Sequence, residues 1–189
     1  MKDYFLGKTV YLRLVTLEDA AELVRLRTAP RCAGRLHPVS TEVEHQRQWL
    51  RDYLERAAHS LERYYVSCNL QDDHVCGAMR ILDADGTSFR MGSWVSEAGA
   101  SPSVALQHVL LIYDEMLIAQ NYQEVRLEVQ QGNLGSIRFH PKLGAVIVSE
   151  NEKEISYRLS RAAYLAARPR YQRWLGMGDP SPVCTEKSP

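Results

Sequence analysis

From Met91 to Gly144 the chain reads MGSWVSEAGASPSVALQHVLLIYDEMLIAQNYQEVRLEVQQGNLGSIRFHPKLG, and the succession of elements in this stretch decides the fold. Phe89 to Val95 is rich in β-favouring residues and reads as a strand. A loop of small residues, Ala98-Gly-Ala-Ser-Pro-Ser103, follows it. Val104 to Ala119 then carries apolar side chains on more than one face, which predicts a buried helix. Val125-Arg-Leu-Glu-Val129 alternates as a strand, and Asn133 to about Lys142 reads as a short helix. A helix between two strands makes them parallel neighbours, joined by a crossover that is almost always right-handed.

Working outward, Val10 to Val15 reads as a strand, and Thr16 with Asp19 three residues on marks a helix start. Ala20, Leu23, Val24 and Leu26 carry that helix to about Arg27. Ala29-Pro30-Arg31-Cys32-Ala33-Gly34 and His37-Pro38 then break it into a loop. Val43, Trp49, Leu50, Tyr53 and Leu54 form the stripe of a second helix that begins after Ser40 and Thr41 and ends near His59. Tyr64–Cys68, Val75–Leu82 and Phe89–Val95 read as three antiparallel strands, with Asp85-Gly86 as a tight hairpin turn. Ala145–Ser149 and Ile155–Leu159 add two strands, and Arg161 to about Leu175 a terminal helix. The expected architecture is mixed α/β in the order β-α-α-β-β-β-α-β-α-β-β plus a C-terminal helix. It makes a seven-stranded, mostly antiparallel twisted sheet with helices on both faces. No linker divides the chain, so residues 1–177 read as one domain. The glycine, proline and polar residues beyond predict a flexible tail over 178–189.

Composition narrows the function. With 23 basic and 23 acidic side chains among 189 residues there is no global field to draw in nucleic acid. No apolar run approaches the roughly 20 residues of a membrane span, and the amino terminus lacks a signal-peptide core, so a cytoplasmic protein is expected. The four cysteines, Cys32, Cys68, Cys76 and Cys184, show no CxxC spacing and read as free thiols. Neither they nor the histidines have metal-ligand spacing, and no metal is expected.

Asn133, Ser136, Phe139, Lys142 and Gly144 match, in register, the pattern Asn-x-x-(Ala/Ser)-x-x-Phe-Tyr-x-Lys-x-Gly-Phe. In this motif, and in the order of its elements from Val10 to Leu159, the chain resembles the GNAT superfamily of acetyl-coenzyme-A-dependent N-acetyltransferases. Arg25-Leu-Arg27 and Ser40-x-x-x-x-His45-x-x-x-Trp49 resemble the branch that holds ribosomal-protein N-terminal acetyltransferases and acetyltransferases of UDP-linked amino sugars. The resemblance implies acetyl-CoA as co-substrate, with the backbone of Trp94, Val95 and Ser96 along its pantetheine arm. It also implies that Asn133 contacts the cofactor, although the residue serves equally well as an N-cap. The chain lacks the family's Gln/Arg-x-x-Gly-x-Gly/Ala phosphate loop.

Independently of the resemblance, Ser101 suits an N-cap and Pro102 the first helical position. The amides of Ser103, Val104 and Ala105 would then face a pyrophosphate at the positive end of the helix. Acyl transfer to an amine uses a base for the amine and an acid for the departing thiolate. His140 holds the family's tyrosine position and is the candidate acid; facing solvent without a role is the alternative. Glu97 is the candidate base, or else a solvated loop carboxylate. Arg27, Arg31 and Arg35, with Arg25, gather positive charge where the family builds its acceptor site. They point to a phosphate-bearing acceptor such as a nucleotide-linked amino sugar, or form a solvated basic loop. With the resemblance, the expected activity is direct transfer of an acetyl group to the primary amine of a small molecule. A peptide or protein amino terminus is the second acceptor reading, and a CoA-binding module without turnover the third. A monomer and a homodimer are both compatible with the terminal helix.

Overall fold

A computed structural model describes residues 2–33 and 35–175 of the chain; the tail expected over 178–189 lies outside these. The strands are β1 (Tyr4–Leu6), β2 (Val10–Leu14), β3 (Arg63–Asn69), β4 (Val75–Leu82), β5 (Ser88–Ser96), β6 (Glu124–Gln130), β7 (Val146–Glu150) and β8 (Glu154–Ser160). The α-helices are α1 (Ala20–Thr28), α2 (Val43–Ala57), α3 (Pro102–Tyr113), α4 (Leu134–Phe139) and α5 (Arg161–Ala167). One sheet runs β1-β2-β3-β4-β5-β6-β8-β7, and every pair is antiparallel except β5 with β6. The expected order is found, with eight strands where seven were expected. The extra strand, β1, turns into β2 where Gly7 N–H donates to the Val10 carbonyl at 2.8 Å. Phe5 is its one buried side chain, and a single apolar residue carries no period to read.

Each face of the sheet buries its own core. On one side Phe89, Met91, Leu127 and Tyr157 pack against Val109, Ile112, Tyr113 and Met116 of α3 and its continuation. On the other, Val66, Ala78 and Val95 pack against Leu23 and Leu26 of α1 and Leu50 and Tyr53 of α2. The C-terminal side of α3 widens into a π-type segment, Asp114–Ala119. Its Asp114 accepts from Tyr164 Oη at 2.6 Å and from two nitrogens of Arg168 at 2.7 Å, which ties α5 to α3. None of the described helices is long and apolar enough to cross a membrane. The edge strand β7 carries Val146, Ile147 and Val148 with more than half of each exposed.

The feature that positions the site is a bulge in β5. Gly92 pairs with Arg80 and Val95 with Ala78, so Ser93 and Trp94 together oppose the single residue Met79. Ser93 takes φ 53°, a left-handed conformation that costs a non-glycine residue energy. A bulge bends its strand and sharpens the twist. Accordingly β5 pairs with β6 only from Ser88 to Met91, and the two strands part beyond it. Gly92–Ser96 keeps only its β4 neighbour, and Glu128–Gln130 only β8.

Gly77 lets β4 pass beneath the diverging end of β5. A Cβ there would stand 2.6 Å from Ser67 Oγ and 2.8 Å from the Val95 carbonyl oxygen. Gly77→Ala is therefore expected to lower unfolding free energy by about 1–3 kcal/mol, read from the urea midpoint. A variant as stable as the native chain would mean that β4 and β5 can separate further at this point.

Candidate active site

The gap between β5 and β6 opens into a cleft of about 390 Å³. Trp94, Val95 and Ser96 form one wall, Pro102, Ala105 and Leu106 of α3 another, and Asn133, Gly135, Ser136 and Phe139 of α4 a third. Arg31, Cys32, Arg35 and Leu36, from the loop between α1 and α2, close it. A narrow niche of about 50 Å³ continues inward past Ser93, Leu127, Glu128 and His140. The cleft is thus an interruption of the sheet with unpaired backbone on both sides. Trp94 lines this wall, and its Nε1 is buried without a hydrogen-bond partner. Asn133 caps α4 by accepting from Ser136 N–H at 3.2 Å, so its side chain has the capping role while it also lines the cleft.

The start of α3 departs from the expected anion site. Ser101 does cap the helix, but its Oγ takes up Ser103 N–H at 3.3 Å, and Val104 N–H turns back to the Ser101 carbonyl at 2.9 Å. Pro102 has no N–H to offer. Of the residues expected to hold the pyrophosphate, Ala105 lines the cleft, whereas Ser101, Ser103 and Val104 line a separate hollow with Lys8, Gln71, His74 and Glu97.

Glu97 lies in that second hollow, away from the cleft. Its N–H bonds the Cys76 carbonyl at 2.7 Å as β5 ends, and this turns the side chain away. Its carboxylate pairs with Arg25 and sits 2.9 Å from His74 Nε2. Partial burial pushes Glu97 up, but hydrogen bonds from His74 and Arg25 together outweigh it and hold the carboxyl below its ordinary value. An ion-paired carboxylate facing another hollow is poorly suited to serve as the amine's base.

His140 is 2% exposed rather than solvent-facing. Pro141 does not turn it outward, because the chain passes from α4 into a tight 3₁₀ turn, His140–Leu143, with Pro141 in its first turn. The ring packs among Trp94, Phe139 and Tyr157, and its Nδ1 has no partner. Burial lowers its pKa to about 4, so the imidazole is neutral at pH 7. A neutral imidazole can hold a hydrogen bond but has no imidazolium proton to give a thiolate.

On the α1–α2 face a second cavity, about 400 Å³, is lined by Arg27, Pro38, Val39, Ser40, His45, Gln46, Trp49, Tyr64, Arg80 and Ser93. Ser93 is also on the wall of the niche, so the bulge is where cavity and cleft approach each other. No carboxylate lines this cavity. Arg80 lies over the Trp49 ring at 4.9 Å and is paired with Glu62. Arg27 keeps a buried Nε without a partner, and the Ser40 hydroxyl meets His45 Nδ1 at 3.0 Å. The arginines expected to act together are therefore divided: Arg27 faces this cavity, while Arg31 and Arg35 face the cleft. Sequence reasoning passed over Ser93, Trp49, Tyr64 and Arg80 as site residues. Of these only Trp49, within the Ser40-to-Trp49 pattern, carried a signal. Among the described residues no group of three or more His, Cys, Asp or Glu could hold a metal ion.

A family model described as the acetyltransferase (GNAT) domain matches residues 9–146. Among solved structures, apo FdhC, described as a nucleotide-linked sugar GNAT, is 28% identical with a TM-score of 0.79 over 90% of this chain and 97% of that one. The ribosomal-protein-S5-alanine acetyltransferase from Vibrio fischeri is 18% identical, with a TM-score of 0.69 over 84% and 96%. A GCN5-related N-acetyltransferase from Brucella melitensis is 16% identical, with a TM-score of 0.70 over 92% and 86%. Among curated proteins no match is found.

The buried histidine has a consequence for stability. The unfolded chain protonates His140 near the ordinary 6.5, the folded chain only near 4, so between these values the unfolded state holds more protons. Its contribution is complete above about pH 6.5 and is lost as pH falls to 4, by roughly 3 kcal/mol. Urea titrations of native protein and His140→Phe at pH 7 and pH 4 should show a smaller loss in the variant. Equal losses would mean that His140 is protonated inside the fold.

Proposed function

The chain belongs to the acetyltransferase (GNAT) domain family, and we propose that it carries an acetyl group from acetyl-CoA to the primary amine of a nucleotide-linked amino sugar. The observation that carries the acceptor class is the cavity beside Ser93. It offers an arginine without an acidic partner, aromatic faces at Trp49 and Tyr64, and no carboxylate. Phosphate suits a guanidinium fork and a nucleobase suits an aromatic face. A cationic peptide terminus or polyamine would find no counter-charge there. The likeness to the nucleotide-linked sugar GNAT supports the same reading.

Acetyl-CoA supplies an activated thioester. The cleft fits a long, thin carrier for two reasons: the unpaired edge of β5, and length from α3 to the niche at Ser93. Trp94, Val95 and Ser96 would bind the arm through their backbone, and Asn133 would line its outer course. With Glu97 held by Arg25, the titratable group beside the amine is His45, oriented by Ser40, and we assign it as base. His140 would keep the Trp94 and Phe139 rings in place and exclude water from the niche. Thiolate is a stable enough leaving group to depart without an acid side chain. Arg27 would hold the acceptor's phosphate. A cytoplasmic setting is part of the proposal and accords with the free, buried Cys32, Cys68 and Cys76.

Thiol release from acetyl-CoA over a panel of nucleotide-linked amino sugars, amino-terminal peptides and polyamines tests the reading. Turnover confined to the first group is expected, and turnover confined to peptides or polyamines would overturn the acceptor assignment. Binding of CoA with no turnover on any amine would leave a non-catalytic module. Within the active panel, Arg27→Ala should raise the acceptor KM roughly tenfold with the acetyl-CoA KM unchanged. His45→Gln should lower kcat by about a hundredfold at neutral pH, and a kcat equal to that of the native enzyme would remove His45 as base.

A further inference from the structure

The cofactor's negative charge has no obvious home at the start of α3. Ser103 and Val104 spend their amides on Ser101, and Pro102 has none. The opposite wall of the cleft offers what the helix lacks. Past the end of α1, a 3₁₀ turn at Pro30–Cys32 is pinned by Cys32, which is 7% exposed and whose Sγ donates to the Leu26 carbonyl at 3.3 Å. The next residues wind on the same anchor, with Arg35 N–H and Leu36 N–H both donating to the Cys32 carbonyl, at 3.0 and 3.1 Å. Arg31 and Arg35 thus come from one tethered turn and line the cleft together, facing Ser96, Pro102, Asn133 and Ser136.

Among the described residues neither arginine makes an ion pair, in contrast to Arg25, which pairs with Glu22 and Glu97. Arg31 Nε is buried without a hydrogen-bond partner. No carboxylate lines the main body of the cleft, and Glu128, in the niche that Arg35 also lines, is paired with Arg90. Two cations without acidic partners on the wall of a groove whose main body has no acidic side chain call for a ligand with charged oxygens. We infer that Arg31 and Arg35 clamp the diphosphate of the acyl-CoA, supplying with guanidinium forks what the Ser103 and Val104 amides, spent within the α3 cap, do not. This reverses the acceptor role expected for these two residues and rests on the cleft being the CoA site.

Calorimetry on the full chain tests it, using CoA, dephospho-CoA and the phosphate-free S-acetylpantetheine as probes. In Arg31→Ala and Arg35→Ala the Kd for CoA should rise roughly tenfold each, and about a hundredfold in the double variant. Dephospho-CoA should lose as much as CoA, and the inhibition constant of S-acetylpantetheine should stay as in the native chain. The double lysine variant, which keeps the charge and loses the fork, should fall between. Unchanged CoA affinity with a raised acceptor KM would overturn the clamp and return both arginines to the acceptor. A loss confined to CoA and absent with dephospho-CoA would move them to the 3′-phosphate and likewise overturn it. Equal loss for all three probes would mean a collapsed loop and would refute a diphosphate contact. If native protein binds S-acetylpantetheine but not CoA, the clamp alone fails; if it binds none of the probes, the cofactor reading fails with it.

Discussion

One extra residue in a strand governs the geometry of this protein. Because Ser93 and Trp94 share a single partner on β4, β5 changes direction at the bulge and cannot keep its ladder with β6. The sheet gives up several backbone hydrogen bonds at its centre, where a hydrophobic core on either face would ordinarily favour an unbroken ladder. What the gap gains is a groove with peptide edges at hand and the α3 and α4 helices along it. The cores below Met91 and around Val95 keep the two halves of the sheet rigid on either side of the break. The groove is therefore preformed, with its shape fixed by packing rather than by a ligand.

The same bulge exchanges the faces of the strand. Phe89 and Met91 belong to the core under α3, and Trp94 packs with them, whereas Val95 belongs to the core under α1 and α2. A regular strand would have kept Val95 with Met91, four residues away. This switch brings Trp94 to the cleft wall and His140 against its ring. The neutral buried histidine follows from that packing, since the rings around it shut out water and no acidic group pairs with it. An aromatic enclosure of this kind excludes water from a reacting centre but does not deliver protons.

Much of the fold was legible because it was carried by local periodicity. The stripe Leu23, Val24, Leu26 and the alternation through Val125, Leu127 and Val129 each report one buried face. The bulge was also written in the sequence, in the three-residue step from Met91 to Trp94 after the two-residue step from Phe89, but a single change of spacing is easily read as noise. Glu97 could not have been placed, because its partners Arg25 and His74 are distant in sequence and meet it only in the folded chain. The arginines were misgrouped for a related reason. Arg27 is in the last turn of a helix, whereas Arg31 lies in and Arg35 just beyond a turn whose direction is set by the burial of Cys32, and nothing in their spacing shows that the two groups face different cavities. Local signals gave the elements, and contacts between distant residues decided which side chains share a site.

Ser93 stands on the wall of two enclosures that are reached from different sides of β5. Under the proposed reaction this is a two-door arrangement, in which carrier and amine enter by separate mouths and neither must leave for the other to arrive. Such a plan leads to intersecting initial-velocity lines rather than parallel ones, with release of the spent thiol decoupled from release of the modified amine. It also sets how the enzyme could diversify: the wall at Val39, His45 and Trp49 can be recut for a new amine while the turn that carries Arg31 and Arg35 keeps the carrier's berth.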